Sequence, residues 1–209
     1  MSVKEIFDML IEKNISMFWI TVHSNVDALD EIWDIYENQG NEKGLYKDQI
    51  NFMPGIEIKT DKGKKGVHLI CVFPQKIKIH ETYVKSTRQN IYDNFCSVLG
   101  LTESEITVNG KGDYGTGLLT TTVNLDKAVE LTHKLGGLVI IHGGDKHGSI
   151  ENEMSHVLKK EPTPEEIYET LDTTKCEIIK NKIDIVELPN YKKKEAKNAK
   201  FYKDVFGKP

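Results

Sequence analysis

Asn51–Phe73, NFMPGIEIKTDKGKKGVHLICVF, places two apolar stretches around a lysine- and glycine-rich middle. Asn51 to Ile58 reads as one strand, Lys62 to Lys65 as a turn, and Gly66 to Phe73 as a second strand; the two are expected to pair as neighbours. Each carries one residue at odds with its apolar setting, Glu57 in the first and His68 in the second.

Working outward toward the N-terminus, Ile15 to Val22 (ISMFWITV) reads as a buried strand. An amphipathic helix over residues 3–13 precedes it, with Val3, Ile6, Phe7, Leu10 and Ile11 on one face and Asn14 as its stop. A second helix follows from Asp27 to Asn38, then a polar stretch, NQGNEKGLYKDQ, expected as loop or short helix. Toward the C-terminus the pattern is mainly helical, with an insertion placed around residues 76–123 and broken by Gly100 and the glycine-rich NGKGDYGTG. Asn124 caps a helix to Leu135, Gly136-Gly137 ends it, and LVII forms a short buried strand. Helices are expected near 163–171 and 172–181, a strand at Ile183 to Leu188 (IDIVEL), and a last helix from Lys192 to Phe206. Strands alternating with helices imply an α/β fold with parallel strands, and 209 residues fit a single domain.

Apolar residues make up 38% of the chain and charged ones 29%, with a net charge of −4, a balance that opposes an electrostatic grip on nucleic acid by the whole domain. Cys71, Cys96 and Cys176 are widely spaced and form no C-x-x-C pair, the usage of a reducing cytoplasm, and read as small buried hydrophobes. No apolar run approaches the ~20 residues of a membrane span, and the N-terminus lacks the pattern of a signal peptide. A cytoplasmic protein with no membrane contact is the expectation.

The polar residues at strand ends point to chemistry. His23 stands just past ISMFWITV, Glu57 near the end of NFMPGIEI, His142 directly after LVII, and Glu187 near the end of IDIVEL. A single histidine after a strand is more often structural than a ligand. Several imidazoles and carboxylates at equivalent strand ends, however, suit zinc, manganese or iron. In a β/α barrel that end is where such groups converge.

These stretches resemble the elements of the PHP (polymerase and histidinol phosphatase) phosphoesterases. Ile20-Thr21-Val22-His23-Ser24 resembles their ITDHN element, Pro54-Gly55-Ile56-Glu57 their PGxE, and Val67-His68-Leu69-Ile70 their HxL strand. Leu138 to His142 is similar to the strand and histidine of their AHP element, and Asp184 to Leu188 to the strand before the last metal motif. Within the superfamily, His142 to Asn152 (HGGDKHGSIEN) and Phe201 to Phe206 resemble segments of the PHP domain in TrlF-like ATPase proteins. The resemblance implies metal binding by His23, Glu57, His68 and His142, with Glu57 as a bridging carboxylate. A strand histidine such as His68 can equally face solvent. Lys146 and His147 lie in the polar loop after His142 and, with Glu187, are the expected substrate-binding residues. Lys146 can hold a substrate phosphate as a point charge or be an ordinary surface lysine. Glu187 can reach the site or cap a nearby helix.

The departures are as informative. The family opens with a strand bearing H-x-H, a triplet the chain lacks, and closes with a strand bearing D-x-H, expected to begin about where the sequence stops at Gly207-Lys208-Pro209; Val22 stands where the family has aspartate. The expected fold is therefore a partial or distorted (β/α)7 barrel lacking its first and last strands, an excised fragment or a protein that has lost its ends. The resemblance implies hydrolysis of a phosphomonoester or a nucleic-acid phosphoester on a divalent metal, manganese, zinc or iron, held weakly or as a single ion. Feeble turnover by the chain alone is expected. The alternative is a catalytically inactive PHP-like domain that serves an ATPase. A phosphorylated substrate, an ATPase domain or partner, and self-association through an exposed strand edge are the expected partners.

Overall fold

The computed structural model describes residues 2–23, 26–63, 65–101, 122–143, 147–150, 153 and 173–187. The expected helices at 163–171 and 192–206, Lys146, and the segment 102–121 lie outside them.

Helix α1 (Val3–Glu12) begins at Ser2, whose hydroxyl accepts the Glu5 N–H while the Glu5 carboxylate accepts the Ser2 N–H. This reciprocal pair satisfies two donors that the first turn leaves open. Asn14, at φ 57°, turns the chain out of the helix in the left-handed region that asparagine tolerates. Strand β1 (Met17–His23) leads to α2 (Leu29–Asn38), and the polar stretch after it folds into a hairpin, β2 (Gly40–Asn41) and β3 (Gly44–Leu45). Strands β4 (Asn51–Thr60) and β5 (His68–Val72) follow, then β6 (Lys76–Ile79) and β7 (Thr82–Lys85). Helix α3 (Arg88–Ile91) runs on through a π turn at Tyr92–Cys96 and a tight turn at Ser97–Leu99. Strand β8 (Thr122–Val123), helix α4 (Leu125–Lys134), strand β9 (Leu138–His142), helix α5 (Thr173–Lys182) and strand β10 (Ile185–Glu187) complete the described chain. Asn124 caps α4 as expected, its side chain accepting from the Lys127 N–H.

The insertion around 76–123 is not helical at its start, because β6 and β7 form an antiparallel hairpin. KIKIHETYVK alternates apolar and polar residues, and that period of two favours strands.

The main sheet has the order β1-β4-β5-β9-β10, with β8 pairing the far end of β4. β1–β4 and β9–β10 pair in parallel, whereas β5 runs antiparallel to both β4 and β9. The expectation of parallel strands is thus corrected to a mixed sheet. The connection from β4 to β5 is far shorter than the dozen or so residues a parallel crossover requires. The described strands form an open α/β sheet, not a closed seven-stranded barrel. Among the described residues, no helix is long and apolar enough to cross a membrane.

One sheet face is buried by helices. Phe18, Phe52, Ile56 and Ile58 meet Phe7, Trp33, Tyr36 and Tyr46 in the main core. Phe7 contacts Phe18 edge-on at 5.2 Å and stacks on Tyr46 at 4.9 Å. Each such aromatic contributes about 1.5–3 kcal/mol by leaving water. Cys71 and Cys96 are buried in this layer, and burial pushes both thiols up to about 12. Both should therefore resist alkylation at pH 8 in the folded protein and react on denaturation. Mass spectrometry after iodoacetamide checks this, and rapid native labelling of either would contradict the packing.

The other face carries a smaller apolar cluster of Ile70, Val72 and Ile140 with Met53 and Ile185. Beyond it, on β1, Met17 and Trp19 are exposed. That second face, above its apolar floor, holds the polar residues singled out from sequence.

Candidate metal centre

The register places these residues before any side chain is considered. Residues whose Cα atoms pair across a sheet share a face, and alternate residues along a strand return to it. Glu57 pairs with His23 on one side and with Ile70 on the other; Ile70 pairs with Ile140, and His142 pairs with Glu187. Glu57, His68, His142 and Glu187 therefore lie on one face, at one end of the sheet. The antiparallel course of β5 is what makes this possible. His68 begins its strand, so its N-terminal end meets the C-terminal ends of β4, β9 and β10.

Glu57 Oε1 lies 3.0 Å from His68 Nδ1 and 3.4 Å from His142 Nε2. One ligand atom from each of the three residues falls within 4.8 Å of the others. Both imidazoles are buried. Donors bonded to one ion at about 2.0–2.2 Å sit roughly 3–3.5 Å apart in tetrahedral or octahedral geometry. The two separations already match that spacing.

His142 supplies a second test of fit. Its Nδ1 lies 2.8 Å from Glu187 Oε2, so a carboxylate oxygen stands beside each ring nitrogen. A neutral imidazole donates from one nitrogen only. With Nδ1–H donating to Glu187, the Nε2 lone pair faces Glu57 and His68, the protonation a metal ligand needs. One carboxylate and two imidazoles, with oxygen and nitrogen donors mixed, suit a divalent ion such as zinc, manganese or iron.

The neighbouring chain holds the cluster in place. Asp184 Oδ2 accepts the Val139 N–H at 2.7 Å, the Asp184 N–H donates to Val139 O, and the Gly143 N–H donates to Glu187 O. These contacts pin β10 to β9 at both ends and bring Glu187 opposite His142. The His68 N–H donates to Gly148 O at 2.9 Å, and the His147 ring packs edge-on against His68 at 5.3 Å. Gly148, at φ 75°, leaves room for the His68 ring; a Cβ there would sit 2.4 Å from His68 Cγ.

Of the four ligands expected from sequence, the structure brings together Glu57, His68 and His142. The His23 backbone pairs beside Glu57, while its side chain lies outside the described residues. Of the expected substrate-binding residues, His147 is exposed beside His68, and Glu187 lies against His142. Sequence reasoning overlooked Gly148; a glycine following a site histidine was its only signal.

No protein-family model matches the chain, and no curated protein matches it in sequence. Among solved structures it is similar to a Bifidobacterium adolescentis protein provisionally named as a metal-dependent phosphoesterase. The TM-score is 0.49 and the identity 9%, over 98% of this chain and 78% of that one. A likeness that slight carries no argument about function.

Proposed function

We propose that the chain is a divalent-metal phosphoesterase domain of the PHP kind, with Glu57, His68 and His142 as its metal ligands and His23 as a further one. The observation that carries this reading is the convergence of a carboxylate and two imidazoles from β4, β5 and β9 at bonding separation. Support for phosphoester chemistry comes from the order of PHP-like motifs along the chain, three of which supply those residues.

A bound divalent ion would lower the pKa of water and polarise a phosphoryl oxygen. The chain's own part is positional. Glu187 holds the His142 ring through Nδ1, and the sheet's apolar floor limits water behind the cluster. With Val22 in place of an acid and three clustered ligands, we infer a single ion and slow turnover.

Manganese or zinc loading followed by metal analysis and a phosphomonoester assay tests the reading. The expected result is about one ion per chain and weak, metal-dependent hydrolysis. Metal uptake with no turnover on any phosphoester would favour an inert domain, and no uptake would remove the proposal.

Glu187→Ala should weaken metal binding by about 10- to 100-fold, the usual cost of losing a partner that orients a ligand histidine. Calorimetric titration of metal checks this. An unchanged affinity would show that His142 is oriented by something else.

A further inference from the structure

Lys59 is the next residue along β4 to return to the face that Glu57 occupies, and it was not singled out from sequence. Its Cα pairs with that of His68. Two residues along a strand advance about 6.6 Å, so its side chain rises from the site end of the same face, one step beyond Glu57 and level with His68. Its course is fixed by the loop between β4 and β5. Gly66, at φ 96°, lies against the lysine stem, and a Cβ there would fall 2.6 Å from Lys59 Cγ and 2.8 Å from Cε. Glycine at 66 thus leaves space that the stem fills.

Lys59 is half-buried, and among the described residues its ammonium makes no ion pair or hydrogen bond. A lysine that gives up part of its hydration without an ionic partner is costly unless a ligand supplies one. The charge balance of the described groups points the same way. Glu57 and Glu187 together match one divalent ion, and Lys59 then leaves the loaded centre with a positive excess at its rim. A point charge on a flexible stem suits a phosphoryl group, whose oxygens accept from any direction.

We propose that Lys59 is the substrate-anion residue of this centre, its ammonium receiving the phosphoryl oxygens of a phosphomonoester whose remaining oxygen faces the metal ligands. The assignment rests on the metal-centre reading above.

The test uses the whole chain and inorganic phosphate as the probe. Manganese is first titrated into the wild type, Lys59→Met and Lys59→Arg, and phosphate is then titrated into each loaded protein. Equal manganese affinity is expected throughout. Phosphate affinity should fall by about 10- to 100-fold in Lys59→Met, the range for losing a charged hydrogen bond in a site, and largely return in Lys59→Arg. Phosphate binding that is the same in wild type and Lys59→Met would overturn the assignment while leaving the metal centre intact. So would a manganese-loaded wild type that takes no phosphate. A wild type that binds no manganese would instead remove the underlying reading, and this shows before phosphate is added.

Discussion

Gly148→Ala is expected to cost the protein both stability and its metal. The residue sits at φ 75°, where an alanine Cβ is strained, and that Cβ would meet His68 Cγ at 2.4 Å, Nδ1 at 2.6 Å and Cδ2 at 2.7 Å. The first effect costs about 1–2 kcal/mol, and the overpacking adds about 1–3 kcal/mol. For a chain of this size the sum corresponds to a melting temperature lower by roughly 4–20 °C. The ring can escape only by swinging away, which takes Nδ1 from its place 3.0 Å from Glu57 Oε1. Metal affinity should therefore fall as far as in His68→Ala. A double-mutant cycle separates the two causes. In a His68→Ala background the clash is absent, so Gly148→Ala should then cost only the backbone strain. Wild-type metal affinity in the single variant would mean that the loop after β9 does not set the ring.

Glu57→Gln should have the largest effect on metal binding with little effect on the fold. The substitution keeps volume and shape but removes the charge that both histidines face through a single oxygen. It also presents N–H donors where an ion needs lone pairs. Loss of a ligand exceeds the 10- to 100-fold typical of its supporting partners, so an affinity lower by on the order of 100-fold or more is expected. Calorimetry or equilibrium dialysis reads this directly. Glu81→Gln is the control, since that side chain is 95% exposed and pairs only loosely with Lys78 at 3.7 Å. Equal metal binding by Glu57→Gln and wild type would place the ion elsewhere.

How much of this was legible in the sequence depends on the range of the interaction. Strand and helix positions around the site follow from local pattern, and Ser2, Asn14 and Asn124 mark helix ends through chemistry confined to a few residues. The candidate ligands stood out because each interrupts or ends an apolar stretch. The turn at Lys62 to Lys65 marks β4 and β5 as neighbours, and a connection so short favours the antiparallel pair that forms, whereas the alternation of strands and helices along the rest of the chain suggests parallel strands. The placement of β5 between β4 and β9 depends on contacts about 70 residues apart in sequence, which no local pattern encodes. The β6–β7 hairpin was legible in the alternation around Ile77, Ile79 and Val84 but was merged with the helix that follows. Glu187 and Gly148 gain their roles only from the three-dimensional register, because each acts on a histidine carried by a different strand.

The central claim is that Glu57, His68 and His142 bind one divalent ion together. Crystals of the chain loaded with manganese, measured for anomalous scattering at the manganese edge, test it most directly. The account predicts a peak bonded at about 2.0–2.2 Å, in the range for nitrogen and oxygen ligands, to a Glu57 carboxylate oxygen, to a His68 ring nitrogen and to His142 Nε2, with Glu187 still on Nδ1. A well-ordered cluster with no peak among these three side chains, or a peak bound to other residues alone, would contradict it.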